Sequence, residues 1–491
     1  MLTVRKQICL LSLMAACGLL SCKNNDHRDT NPETGIAFKD QSKTPALIKK
    51  LTGFEGTEVY ALIGSDDTLS ESKDFIFGGS ADGAGLVKQG DKYIMLVNHE
   101  DNFAVSRITL DKTFKPVKGE YIMNTNGGQW RLCSATMAMP EEHGFGPLYL
   151  TCGESNEEAN VHGLDPFATY NDVSSSHVLK GLGFRSAENA VPLPQKTYTG
   201  KSIILIGEDD DAASGGQLFM YISDKVGDLQ NGKQYMLRRT DLNQRETDIR
   251  TGNTYDVEFV NYSSDLTGAQ VSAQVDQLKA IKFGRVEDVD YRKGTDKAAG
   301  REIYFTATGQ DKSGYNADGS RTMYGRVYRL ILDETNPLKG KLEVILDGDD
   351  DNGPAKEFQD PDNICVTKNY VYIQEDSNGY GTEDHDAYIY QYNIATKELK
   401  KVFELDHRRN VPGDAQKFGS ANSKKGSWEY GALVDISDII GVENTFTLSV
   451  QPHSWTTAAT GNQRYTNADG GARSKGDDQA SQIVLIKGLP R

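Results

Sequence analysis

The stretch from Asp362 to Glu375 reads Asp-Asn-Ile-Cys-Val-Thr-Lys-Asn-Tyr-Val-Tyr-Ile-Gln-Glu. A short apolar run, a polar turn and an aromatic, β-branched run follow one another. This order predicts an antiparallel hairpin with an acid at each open end. The same unit recurs five more times. Gly83–Lys88 precedes Tyr93–Val97, Cys133–Met139 precedes Leu148–Thr151, and Glu188–Leu193 precedes Ser202–Ile206. Glu287–Tyr291 precedes Glu302–Thr306, and Gly431–Ile436 precedes Thr445–Val450. Further strands often follow, such as Gln217–Ile222, Arg326–Leu332 and Ala387–Tyr392. Three or four strands per unit, repeated six times, predict an all-β fold: a six-bladed β-propeller with irregular insertions, spanning 46–491. A double-sheet sandwich is the rival, but the length is large for one such domain.

Composition agrees with many turns. Glycine is abundant at 49 residues, tyrosine (23) outnumbers phenylalanine (17), and sustained helical periodicity is scarce.

The N-terminus reads as a processing signal. Arg5 and Lys6 precede an apolar run that ends in Leu19-Leu20-Ser21-Cys22. The run is too short for an ordinary membrane span, and the closing box is that of a bacterial lipoprotein. Residues 1–21 are expected to be cleaved and Cys22 lipidated, with 22–45 a flexible tether. Lys23 after the lipidated cysteine favours an outer-membrane anchor outside the cytoplasm. An ordinary secretory peptide is the alternative.

The chain carries a formal charge of −16. Such a surface argues against nucleic acid as a partner, because phosphate backbones demand Lys and Arg. It suits an exported protein that gathers cations. With Cys9, Cys17 and Cys22 removed or lipidated, Cys133, Cys152 and Cys365 remain. An odd number leaves at least one thiol without an intramolecular partner. A metal thiolate is one use for it; a Cys133–Cys152 disulfide that leaves Cys365 free is another.

Hairpin geometry gathers the polar ends. If the first strand of each unit is innermost, Cys133, Glu188, Glu287, Asp362 and Glu429 converge on one mouth of the central channel. The ends of the second strands bring Asn98-His99-Glu100, Glu154, Glu208–Asp210, Gln310-Asp311, Glu375-Asp376 and Gln451–His453 to the same mouth. Crowded carboxylates either raise one another's pKa or bind cations. Oxygen donors favour calcium, whereas a thiolate among them favours iron or zinc. Several cations suit phosphoryl transfer, with an arginine fork on the ester oxygens. Arg285, two residues from Glu287, fits that role or that of a carboxylate's partner. The run Asp349–Asp351 reads as a calcium loop or as a turn. No Ser-His-Asp arrangement or phosphate-binding glycine loop stands out.

Several motifs, in order over residues 75–455, resemble the PhoX-type alkaline phosphatases. They are Asn98-His-Glu100, Cys133-Ser-Ala-Thr136, Leu150-Thr-Cys-Gly-Glu154, Gly183–Ala190, Arg285-Val-Glu-Asp-Val289, Pro361-Asp-Asn363 and Gln451-Pro-His453. The resemblance implies a six-bladed propeller with two irons and several calciums. It assigns Cys133, Glu188 and Glu287 to the iron pair, Glu154, Asp362 and Glu429 to the remaining metal shell, and Asn98 and Arg285 to the phosphate. It implies hydrolysis of phosphate esters through attack on phosphorus by an oxygen that the metals hold. The chain departs from the family pattern. Arg5-Lys6 is not twin arginine, the tryptophan-rich stretch between the cysteines is missing, Val286 replaces a proline, and Ala187 replaces a histidine. Two other functions remain open: a calcium-dependent propeller hydrolase acting on lactones, and a non-catalytic surface propeller that binds glycan or protein.

Overall fold

A computed structural model describes residues 35–377, 384–472 and 476–491. The expected signal peptide, the expected lipidation site Cys22 and the expected tether through residue 34 lie outside the described residues.

The chain folds as an all-β propeller. Four sheets are separate. One holds Ala81–Gln89, Lys92–His99, Ala104–Leu110 and Pro116–Met123; the next holds Arg131–Ala138, Leu148–Glu154 and Val161–Leu164. A five-stranded sheet runs inside to outside from Pro361–Val366 through Tyr370–Glu375, Tyr388–Asn393 and Leu399–Leu405 to Ile48–Lys50. The last holds Glu429–Asp435, Thr445–Gln451, Gln482–Lys487 and Glu58–Gly64. The fifth sheet has nine strands, because Tyr255–Tyr262 pairs with Lys339–Asp347 and joins two runs at their outer edges. The expectation of six separate blades is therefore corrected to four sheets and one joined one. The insertions that follow Lys233–Arg239 and Arg326–Leu332 supply these rim strands, and their open edges satisfy each other's backbone groups.

The first strands still form a closed ring. Ala81–Gln89 touches Arg131–Ala138, which touches Ala187–Pro192; Val289–Tyr291, Pro361–Val366 and Glu429–Asp435 complete the circuit back to Ala81–Gln89. Sheets packed on both faces need apolar residues on both, and strands such as Ser202–Glu208 and Thr445–Gln451 are buried along their whole length. Each buried Leu, Ile or Phe contributes about 1.5–3 kcal/mol.

The N-terminal part shuts the ring. Glu58–Gly64 lies antiparallel to Gln482–Lys487, so the last sheet takes one strand from each end of the chain. Ahead of it, Ile36, Phe38 and Thr44 are buried within the stretch expected as a tether. Ile36 (0% exposed) and Phe38 (3%) join the core between the first and last sheets, and Ala37 N donates to Thr113 O. Among the described residues no helix is long and apolar enough to cross a membrane.

Candidate metal centre at the channel mouth

A local irregularity aims the donors inward. In five of the first strands, three steps oppose two on the second strand, which is a β-bulge near the strand start. The first off-ladder residue is Asp82, Cys133, Glu188 or Asp362 in four of them, and Gly431 in the last sheet. Glu287 holds the matching place, two residues ahead of Val289–Tyr291. A Cβ on Gly431 would lie 2.6 Å from the Asp82 backbone, so this strand supplies its donor from Glu429 instead. The second bulge residues tie neighbouring strands together. Ser134 N donates to Glu188 Oε1 (3.2 Å), Asn189 Nδ2 donates to Asp288 Oδ1, and Ile364 N donates to Asp288 Oδ2 (2.9 Å).

Asp82, with Glu100 and Asp101, lines one cavity of about 420 Å³. Cys133, Glu154, Glu188, Glu287, Asp362 and Glu429, all expected at the channel mouth, meet there. Three overlapping sets each bring three donor atoms within 4.8 Å of one another: Asp82–Cys133–Glu188, Glu100–Cys133–Glu154 and Glu188–Glu287–Asp362. Cys133 and Glu188 each belong to two sets, an arrangement suited to adjacent cations with shared donors. Cys133 Sγ donates to Glu154 Oε2 at 3.0 Å. Cys152 is buried in an apolar cluster, and both cysteines are free thiols, so the alternative disulfide does not form.

Electrostatics favour occupation by cations. Burial pushes Glu188 well above the usual carboxylate range, and Glu287 and Asp362 push it further. Burial likewise raises Glu287, Asp362, Glu154, Asp82 and Glu429, each helped by a neighbouring carboxylate. Burial and then Glu154 push the Cys133 thiol up. Asp82 Oδ1 and Asp362 Oδ1 are buried without a hydrogen-bond partner among the described residues. A buried carboxylate oxygen without a donor is costly unless an ion satisfies it. One thiol among carboxylates fits both a softer ion such as iron and a hard one such as calcium.

Two arginines stand at the rim. Arg285 Nε lies 2.7 Å from Asp209 Oδ1, and its Nη2 lies 2.8 Å from Glu287 Oε1. Its backbone is left-handed (φ 65°), a conformation that costs a non-glycine residue about 1–3 kcal/mol and clusters at functional sites. Burial raises Asp209, but the Arg285 guanidinium outweighs it and holds the carboxyl below its usual value. Arg131, which the sequence reading missed, pairs with Glu100 (2.8 Å) and Asp101 (3.1 Å) and also lines the cavity. Asp82 was missed as well, although it stands immediately before the first unit as read.

Not every expected residue faces the mouth. Asn98, expected at the phosphate, is fully buried behind the wall. Its Nδ2 donates to the carbonyls of Cys133 and Ser134, and its Oδ1 accepts from Tyr149 and Thr151 hydroxyls (2.9 Å each). It holds the bulge that carries Cys133 and has no group left for a ligand. His99 is neutral, pushed down to about 4 by burial, and bonds Ser106 Oγ at 2.8 Å. His453 pairs with Glu429 (3.0 Å) at the cavity. Glu375 is spent on Gln359 N and Tyr388 N. The Asp349–Asp351 run is a turn in which Asp349 accepts from Met323 N and Tyr324 N.

No family model and no curated protein matches the chain. Among solved structures, the chain is similar to Pseudomonas fluorescens PhoX, determined in complex with vanadate, a transition state analogue. The TM-score is 0.62 and the identity 14%, over 92% of this chain and 98% of that one. A Fusarium graminearum α-L-arabinofuranosidase, Arb93A, aligns with a TM-score of 0.37 and 12% identity over 82% and 92% of the two chains. At these identities the likeness shows the fold, an all-β propeller that this chain shares with PhoX over nearly its whole described length.

Proposed function

We propose that this chain is an exported, metal-dependent phosphoesterase that hydrolyses small phosphate monoesters at the channel mouth. The observation that carries the reading is the convergence of a single thiol, Cys133, with Glu154, Glu188, Glu287 and Asp362 beneath Arg285. The nine-stranded sheet counts as two blades fused at the rim, six in all, each sending residues toward the shared axis.

Cys133, Glu188 and Glu287 would hold an iron pair; Asp82, Glu100, Glu154, Asp362 and Glu429 would hold calcium. When bound, the cations supply charge neutralisation for the ester oxygens and a nucleophile at neutral pH. The remaining work belongs to the chain. Arg285 offers a phosphoryl oxygen the nitrogen that Asp209 and Glu287 leave over, and Asp209 fixes the plane of the guanidinium. Arg131 adds a second positive charge to the same cavity. Cys133 would hold a cation as the thiolate, so its proton would have to leave on binding. A lipidated Cys22 would hold the enzyme outside the cytoplasm, on the outer membrane.

Protein loaded with iron and calcium should hydrolyse nitrophenyl phosphate, and elemental analysis should find both metals. Cys133→Ala and Glu287→Ala should each abolish that hydrolysis and leave the circular dichroism spectrum unchanged. A fully loaded protein that turns over no phosphate ester sinks the reading.

A further inference from the structure

Beside the metal cavity lies a larger one of about 660 Å³, and the two share Glu154 and Arg285 in their walls. A phosphoryl group on Arg285 would therefore have its leaving group at the entrance to this second space. The volume is that of a small-molecule site and exceeds what phosphate alone requires. Its outer wall carries Glu157, Glu208, Asp210, Asp211 and Asp311. Arg285 is the only cationic side chain in the lining, and it is already paired with Asp209 and Glu287.

Acidic loops alone are commonplace, but two features set this wall apart. Glu208 is 5% exposed and faces the cavity, and no described residue gives its carboxylate a hydrogen bond or an ion pair. Burial and then Asp210 push Glu208 well above the usual carboxylate range; Arg185 acts on it only at longer range. The wall is also rigid. Arg321 (2% exposed) fastens the carbonyls of Asp211 (3.1 Å), Ala212 (2.7 Å) and Ala213 (3.3 Å). Asp210 is spent on its own loop, accepting from Ser214 Oγ at 2.6 Å. A buried carboxylate without a donor, held in a fixed wall, calls for a cation in the space it faces.

The lining also excludes classes of occupant. It contains no aromatic side chain, so a nucleobase finds no stacking platform. Its negative field repels leaving groups that carry further phosphates.

We propose that this second cavity is a leaving-group subsite for an ammonium, with the amine seated against Glu208 and the phosphoryl group on Arg285. The preferred substrates are then phosphate monoesters of amino alcohols. This deepens, and rests on, the phosphoesterase reading.

The test compares kcat/KM of the metal-loaded protein for 2-aminoethyl phosphate and for its neutral isostere, propyl phosphate. The amine ester should be preferred about tenfold, equivalent to about 1.4 kcal/mol. Glu208→Gln should bring the ratio close to one. Asp211→Asn, on an exposed residue whose change cannot disturb packing, should lower it in part. Ethanolamine titrated into wild type and Glu208→Gln by calorimetry gives a readout that needs no turnover. If ethanolamine binds in a Glu208-dependent way but neither ester is hydrolysed, the subsite stands and the phosphoesterase reading falls. Equal hydrolysis of both esters with no ethanolamine binding overturns the subsite alone. If Glu208→Gln loses a calcium by elemental analysis and keeps the amine preference, the cavity is a metal site, which also overturns the proposal.

Discussion

Arg285 grips Asp209 with two nitrogens, Nε to Oδ1 at 2.7 Å and Nη2 to Oδ2 at 3.1 Å, from a backbone that only a constrained arginine adopts. The pair links the second strand of one unit to the inner ring of the next. It fixes the plane of the guanidinium before any ligand arrives.

Arg285→Lys should therefore keep the charge and lose the function. A lysine offers one point charge in place of a fork. We expect kcat/KM for nitrophenyl phosphate to fall roughly 100-fold, the scale of losing one aimed donor. Asp209→Asn should raise KM more than it lowers kcat, because it frees the fork without removing it. Equal activity in Arg285→Lys would remove Arg285 from the site.

Asn98 should prove to be a strut and not a ligand. Asn98→Ala leaves the Thr151 hydroxyl and the Cys133 carbonyl without partners in the interior, while the Tyr149 hydroxyl keeps only the Gly83 carbonyl. Each buried group left unsatisfied costs about 1–3 kcal/mol. The melting temperature of the metal-free protein should drop clearly. A rise in KM with no change in melting would instead restore Asn98 to the phosphate.

The metal-free and loaded proteins should respond oppositely to Glu188→Gln. The folded-state pKa of Glu188 is raised, so the stability it contributes is present below the ordinary carboxylate range and is lost as pH rises through the folded value. In metal-free protein the variant should gain on wild type in urea midpoint as pH rises from 5 to 8. In loaded protein the same variant should be the weaker at every pH, because it has lost a shared donor. A pH-independent difference in the metal-free state would contradict the raised value.

Cations should stabilise the fold by mass action. Adding calcium to the metal-free chain at 100 times its dissociation constant should raise stability by about 2.7 kcal/mol. Chelator should reverse the gain in a melting experiment. An unchanged melting temperature would show that the acids do not gather an ion.

The N-terminal boundary is testable by truncation. Truncations through residue 34 and through residue 45 should differ in melting temperature. Removal through 45 takes away Ile36 and Phe38, and Phe38→Ala alone should cost about 3–5 kcal/mol. Equal stability of the two truncations would return these residues to a tether.

Much of the site was legible because an antiparallel hairpin obliges the start of one strand to meet the end of the next. Cys133, Glu188, Glu287 and Asp362 needed only that rule, and so did Glu154 and Glu100. What escaped was finer than the strand. Asn98 and Glu100 are two residues apart on the same hairpin, yet one braces the wall and the other lines the cavity. Their difference lies in twist and in the bulge opposite, which side-chain type does not encode. Asp82 would have emerged had the first unit been set one residue earlier, in line with Cys133 and Glu188. Arg131 follows a loop whose course is set by tertiary contacts. The rim pairing of Tyr255–Tyr262 with Lys339–Asp347 joins segments about 80 residues apart, and no local pattern announces it. Ile36-Ala37-Phe38 is a three-residue apolar patch in a polar run, and the burial of Ile36 and Phe38 comes from a partner surface elsewhere in the chain.

The bulges have a further consequence. A residue that stands off the ladder is freed from the alternation of pleat and register. Thiol or carboxylate can occupy such a socket, where a Cβ fits, while the surrounding backbone stays as it is. The preference for one ion over another is thus decoupled from the architecture and can drift one socket at a time. In this chain the thiol in the second socket is one such setting, whereas the last socket is fixed as glycine by the Asp82 backbone beside it.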